Sequence, residues 1–217
     1  MSHKKHLFFN KKRGVTINVG NKCTLACPKC HRQWFLSRNL PIRGRDMSLD
    51  ELKTLAEEFD KIVFCGTVSD PIVHPNFIEF LAYLHSQKIE CGVTTAVSQR
   101  PMEWWERAFA ANPDMTWTFS IDGLPKDSHK YRVNQDGEKL FEVMKLAAKK
   151  YDRVVWKYIV FSYNENDVQE AKRLAKSIGV DLKFHYSERW DEGEDPMKPK
   201  NKSFYVDKWK SDARKKN

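Results

Sequence analysis

The sequence predicts an α/β fold with a parallel sheet, and three observations predict it. Six short apolar runs alternate with five segments whose apolar residues recur at helical spacing. The links on one side of each strand are short, as βαβ crossovers require. At 217 residues, with 41% hydrophobic and 31% charged content, the chain can bury a sizeable core. Periodicity leaves two arrangements open, a partial (β/α) barrel and a doubly wound open sheet. In both, reactive loops sit at the carboxyl ends of the strands.

The elements follow in order. Residues 1–13 carry Lys4, Lys5, Lys11, Lys12 and Arg13 and no acid, and read as a basic arm. Residues 14–19 are rich in β-branched side chains and predict the first strand. It leads straight into Cys23-Thr24-Leu25-Ala26-Cys27-Pro28-Lys29-Cys30. Residues 31–47 read as loop or short helix, broken at Pro41 and Gly44. Ser48 and Glu51 form a capping box, and the helix they open runs to about residue 60. Its apolar face is Leu49, Leu52, Leu55, Ala56 and Phe59.

Residues 61–66 are a second strand, apolar enough to be buried. A loop to Pro75 and a helix over 76–87 follow. Strand three is 90–97, and Pro101 opens the next helix, which runs through Ala111. Strand four is 115–121. A long loop crosses 122–137 to a helix over 138–151, strand five over 153–161 and a helix over 167–178. Gly179 ends that helix, and 181–186 is strand six. Residues 188–217 lack a period and read as a basic tail or lid. The chain thus divides into an arm (1–13), a core domain (14–187) and the tail (188–217).

No apolar run approaches the roughly 20 residues of a membrane span, and the N-terminus lacks the apolar core of a secretory signal. The expected location is cytoplasmic, with no membrane partner. There, five cysteines point to metal or catalysis rather than to disulfides. Net charge is +9, concentrated at the ends. Basic ends either steer an anionic partner such as nucleic acid or are solvated termini. Cys65 and Cys91 lie on strands and read as buried small hydrophobes.

Cys23, Cys27 and Cys30 are spaced C-x3-C-x2-C, close enough to converge on one soft metal centre. A structural zinc ion wants four ligands, and this run supplies three. A four-iron cubane on three cysteines keeps one iron open. The competing reading is a zinc loop completed by His31 or a distant cysteine, in a non-enzymatic adaptor that binds nucleic acid.

Over residues 14–186 the chain resembles the radical S-adenosylmethionine (SAM) superfamily. The cysteine loop matches in spacing and in its place after strand one. Gly66-Thr67-Val68-Ser69-Asp70-Pro71 resembles the family's Gly-x-x-x-Glu/Asp-Pro segment after strand two. Thr94-Thr95, Ser120-Ile121-Asp122-Gly123 and Asn164-Glu165-Asn166-Asp167 resemble its motifs after strands three, four and five. The resemblance implies a partial (β/α)6 barrel in a compact, core-only member. It implies a [4Fe-4S] cluster on Cys23, Cys27 and Cys30, with SAM on the open iron. One electron, from a small flavodoxin- or ferredoxin-type donor, then yields a 5′-deoxyadenosyl radical that takes hydrogen from a substrate. That substrate is open: a peptide, a glycyl-radical protein, a nucleotide or another anionic molecule.

Carried over by position, Gly66, Thr67, Ser69 and Asp70 meet the amino group of SAM. Thr95 and Ser120 bond its carboxylate or ribose. Asp122 holds the ribose or the loop, and Asn164 and Lys157 make further polar contacts. No catalytic acid or base is implied. Lys29 departs from the pattern, because the family has an aromatic residue before the third cysteine. Adenine recognition then falls to another group, with His31 and Trp34 the candidates.

Overall fold

The computed structural model describes residues 13–191 and 193–205. All of the arm but Arg13, and the tail beyond residue 205, lie outside them. The elements are β1 (Gly14–Ile17), α1 (His31–Leu36), α2 (Leu49–Glu58), β2 (Lys61–Cys65), α3 (Phe77–Ser86), β3 (Glu90–Thr95), α4 (Met102–Ala111), β4 (Thr116–Ser120), α5 (Gly137–Ala148), β5 (Val154–Ile159), α6 (Val168–Ile178) and β6 (Asp181–His185).

The six strands form one parallel sheet in the order β1-β2-β3-β4-β5-β6. This order decides between the two arrangements. A doubly wound sheet reverses direction at a switch point. Here every crossover steps one strand onward, so right-handed connections put all crossover helices on one face. Those helices pack on one another in turn, α2 on α3, α3 on α4 and α4 on α5. The sheet therefore has a covered convex face and an open concave one, as in a partial barrel.

Side-chain alternation divides the two faces cleanly. The registered row Phe64–Val93–Trp117–Val154 faces the helices, and all four are buried. Trp105 on α4 closes over it, with its ring 5.7 Å from Trp117 and fully buried. Burial of each such side chain contributes about 2 kcal/mol. The concave rows are polar by contrast. Cys65, Thr94 and Thr118 form one, and Ser120, Lys157 and Lys183 another. A face of hydroxyls and lysines has no core to join and is left for ligands.

Every strand ends one or two residues before the sequence pattern predicts, and at β3 and β5 the reason is identifiable. After β3 the Ala96 amide leaves the ladder for the Asp70 carboxylate at 2.8 Å. After β5 the Phe161 amide turns to Asn164 Oδ1 at 2.8 Å, while Asn164 Nδ2 donates to the Ile159 carbonyl. Side chains thus cap these strand ends and aim the loops beyond them.

Residues 187–191 and 193–205 form a docked strap. The Ser162 amide donates to the Met197 carbonyl at 2.9 Å, and Glu165 Oε2 accepts from the amides of Lys200 and Asn201. Ser187 bridges Tyr205. Trp190 packs edge-on against Phe161 and Tyr205.

Candidate functional site

The cysteine loop is shaped by two anchors. Buried Leu25 and Cys27 tie it to the core, and the Ala26 amide donates to the Val133 carbonyl at 3.1 Å. Cys30 is the N-cap of α1; its amide donates to the Cys27 carbonyl, and its own carbonyl accepts from Trp34. All three thiols are free and border a cavity of about 490 Å3 at the carboxyl ends of the strands. That volume falls in the range of roughly 300–1,000 Å3 usual for small-molecule sites.

Opposite the thiols lies the turn after β2. A Cβ on Gly66 would stand 1.6 Å from the Ser69 carbonyl oxygen, so only glycine closes this turn. The Thr67 amide donates to Asn18 Oδ1 at 2.7 Å. Ser69 Oγ is buried with no hydrogen-bond partner. Asp70, also buried, accepts from Thr95 Oγ1 at 2.8 Å and from the amides of Ala96 and Ile72. Its own amide donates to the Lys22 carbonyl. Asp70 and Thr95 therefore satisfy each other and pin three loops together. Burial raises the Asp70 pKa against the pull of these donors.

Of the residues singled out by sequence, Cys23, Cys27, Cys30, Gly66, Thr67, Ser69, Asp70, Thr95 and Ser120 border the one cavity. Ser120 and Thr94 make no side-chain hydrogen bond among the described residues, so both hydroxyls are free for a ligand. Asp122 and Asn164 do not border it. Asp122 is fully buried; it accepts from Arg132 Nε at 2.6 Å and from the Ile159 amide at 2.7 Å. Asn164 caps β5 from behind. Neither His31 nor Trp34 lines the cavity.

Three contributors were not legible in the sequence. Arg132, in the long loop, sits beside Cys27 and pairs with Asp122, their side chains 16% and 0% exposed. Burial alone would lower its pKa, but Asp122 outweighs that and raises it. A signal existed: a buried aspartate at a strand end needs a cation, and Arg132 is the first arginine after it. The end of β6 adds His185 to the wall, and the strap adds Arg189. Lys157, already noted on β5, has its pKa lowered by burial, with Arg132 and Arg189 adding repulsion. It makes no ion pair among the described residues. Arg132, Lys157 and Arg189 thus gather on the wall from β4 to the strap, with Glu188 beside Arg189.

Lys29 finds its partners on the strap. Its ammonium bonds Asp191 and, at 2.7 Å, Asp195 Oδ2, while Arg189 donates to its carbonyl. Burial raises the Asp195 pKa, but Lys29 and two backbone amides outweigh it and hold the carboxyl below its usual range.

Burial, then the nearby Asp70, pushes the Cys23 thiol up to about 12, and burial raises Cys27 despite Arg132. Such thiols ionise only when a metal supplies the opposing charge. Among the described residues no three His, Cys, Asp or Glu side chains converge as they would around a single ion. A structural zinc ion wants four protein ligands, whereas three cysteines suffice for a cubane with one open iron. The Ser69 Oγ, orphaned among the described residues, fits a polar cofactor beside it.

Three free thiols thus stand at the carboxyl edge of a curled parallel sheet of the (β/α) class, with no fourth metal ligand gathered beside them among the described residues. A profile of the Radical SAM superfamily matches residues 17–176. The chain belongs to that superfamily, whose enzymes work with a [4Fe-4S] cluster and SAM. No curated protein matches it.

Solved structures share the fold. Streptococcus suis SuiB bound to precursor peptide SuiA matches at 16% identity and TM-score 0.68, over 85% of this chain and 43% of that one. Native anSMEcpe with bound AdoMet and Cp18Cys peptide matches at 17% and 0.66, over 87% and 55%. A domain of pyruvate-formate lyase-activating enzyme from Bacteroides vulgatus matches at 15% and 0.50, over 65% and 86%. The chain spans less than half the length of SuiB. No described helix is long and apolar enough to cross a membrane.

Proposed function

We propose that this chain cleaves SAM reductively and directs the 5′-deoxyadenosyl radical at a hydrogen of a substrate held in the cavity. One observation carries the reading. In a chain of this superfamily, the three free thiols share a cavity with the glycine-closed turn, where they would hold a cluster.

Bound there, the cluster and SAM supply the electron and the radical. The chain's residues bind and orient. Cys23, Cys27 and Cys30 hold the cluster. The turn from Gly66 to Ser69 offers backbone groups and the free Ser69 Oγ to the amino group of SAM. Arg132, beside Cys27, supplies the cation for its carboxylate, and Ser120 and Thr94 offer hydroxyls. Asp70 with Thr95, Asp122 with Arg132, and Asn164 keep these loops in place from behind. A small electron-donor protein completes the system.

On the far wall, Lys157 makes no ion pair among the described residues, and Arg189, His185 and Glu188 border the same cavity. We assign this wall to an anionic group of the substrate. A peptide carrying a carboxylate is the class we favour over a glycyl-radical protein or a nucleotide. The polar concave face suits an extended chain, and two of the similar structures hold peptides.

The test is anaerobic reconstitution. The protein should turn brown and form 5′-deoxyadenosine from SAM with dithionite, and Cys27→Ala should abolish both. A colourless zinc protein that forms no 5′-deoxyadenosine would overturn the reading.

A further inference from the structure

The segment after the third cysteine is crowded with cations. From His31 to Arg45 it holds Arg32, Arg38, Arg43 and Arg45 and neither Asp nor Glu. The fold leaves its apolar side chains outside: Trp34, Leu36 and Leu40 are 48%, 44% and 41% exposed. His31, Arg38 and Arg43 are exposed with them. Arg38 lies over the Trp34 ring, 4.4 Å from its centroid. Glu51 pairs with Arg45 of the segment itself, and the other nearest acids are committed elsewhere, Asp46 to Lys22 and Asp50 to Lys53, so Arg32, Arg38 and Arg43 are left without a carboxylate partner among the described residues. Arg32 donates to the carbonyls of Asn21 and Val68, neutral acceptors that leave its charge uncompensated.

An apolar centre with a charged rim is the anatomy of a small interface. Its location adds meaning. The helix that carries Trp34 begins on Cys30, and the Trp34 amide donates to the Cys30 carbonyl at 3.1 Å. One helical turn separates the exposed ring from a cluster cysteine. Trp34, Leu36, Arg38, Leu40 and Arg43 are all absent from the cavity wall, so the patch is not part of the substrate pocket.

We propose that this patch docks a small acidic electron-donor protein of the flavodoxin or ferredoxin type, which delivers one electron to the cluster. The inference rests on the cluster reading of the cysteine loop. In the transfer the donor's reduced flavin or iron–sulfur centre loses one electron and the cluster passes from [4Fe-4S]2+ to [4Fe-4S]+; no bond forms or breaks. Charge selects this occupant, because unpaired arginines steer an acidic partner. A redox encounter needs only a small contact, below about 1,200 Å2 in total. Nucleic acid is the competing occupant of a cationic aromatic surface, and the test separates the two.

The full chain with a reconstituted cluster is reduced either by reduced flavodoxin or by dithionite, and cluster bleaching and 5′-deoxyadenosine are followed. R38E/R43E is expected to slow the flavodoxin-driven rate about tenfold or more at low salt and to flatten its salt dependence. The dithionite-driven rate should stay within twofold of wild type. W34A should slow the flavodoxin reaction while keeping the salt dependence. An unchanged flavodoxin rate in R38E/R43E overturns the proposal. Equal losses with both reductants overturn it too, because the arginines then act on the cluster itself. Arg38-dependent binding of single-stranded RNA that flavodoxin fails to displace also overturns it. A wild type that dithionite cannot reduce removes the cluster reading and, with it, this proposal.

Discussion

Replacing Lys29 with alanine should release the strap without unfolding the barrel. The Lys29 side chain is 16% exposed, Asp195 1% and Asp191 72%. The pair with Asp191 is therefore worth little, about 0–1 kcal/mol. The pair with Asp195 is different, because the carboxylate stays buried when its partner goes. Stripping one partner from a fully buried pair costs about 3–5 kcal/mol. Asp195 keeps the amides of Asp191 and Met197, both at 2.9 Å. With those donors retained, the loss falls to about 2 kcal/mol, or roughly 30-fold in strap docking.

Hydrogen exchange read by mass spectrometry measures this directly. In K29A the amides of 187–205, and the Ser162 amide that donates to Met197, should exchange roughly 30-fold faster. Amides of β2 to β4 should be unaffected. SAM affinity should fall with strap docking, since residues 186–189 line the cavity. K29R, which keeps the charge, should restore most of the protection. D195N should match K29A, and the double variant should add little to either. Strap exchange within twofold of wild type in K29A would refute the latch. So would a uniform loss of protection across the sheet, which would make Lys29 a general stability residue.

Two further substitutions probe the frame of the site. G66A forces a Cβ to within 1.6 Å of the Ser69 carbonyl oxygen, so the turn must open; calorimetric titration should show loss of SAM binding, and wild-type affinity would contradict the close approach. D122N strips the charge partner from buried Arg132 at a cost of about 3 kcal/mol, which lowers Tm by roughly 6–12 °C in a chain of this size; a shift under 2 °C would mean the pair is not structural.

What the sequence reveals and what it hides separate along the range of the interactions. Strand and helix alternation, the capping box at Ser48 and the C′ glycine at Gly179 depend on neighbours within a few residues, and each is where the pattern puts it. The placement of Gly66, Ser120 and the cysteines at strand ends follows from the same local signals. Strand order is not local. It depends on the direction of each crossover, which no period encodes. Asp70 shows the limit within one residue: its position at the site is legible, but its carboxylate turns to Thr95 and Ala96 on the next strand.

Lys29 takes this furthest. The sequence marks it only as a departure inside the cysteine loop, because its partners lie 162 and 166 residues away. They sit in a segment with no period, held by side chains and single amides rather than by a ladder. A position where the family has an aromatic residue carries instead a charge that reaches the strap. The departure thus has a physical reading. In this chain, one wall of the cavity is a separate segment, and Lys29 of the cysteine loop fastens it together with Ser162 and Glu165.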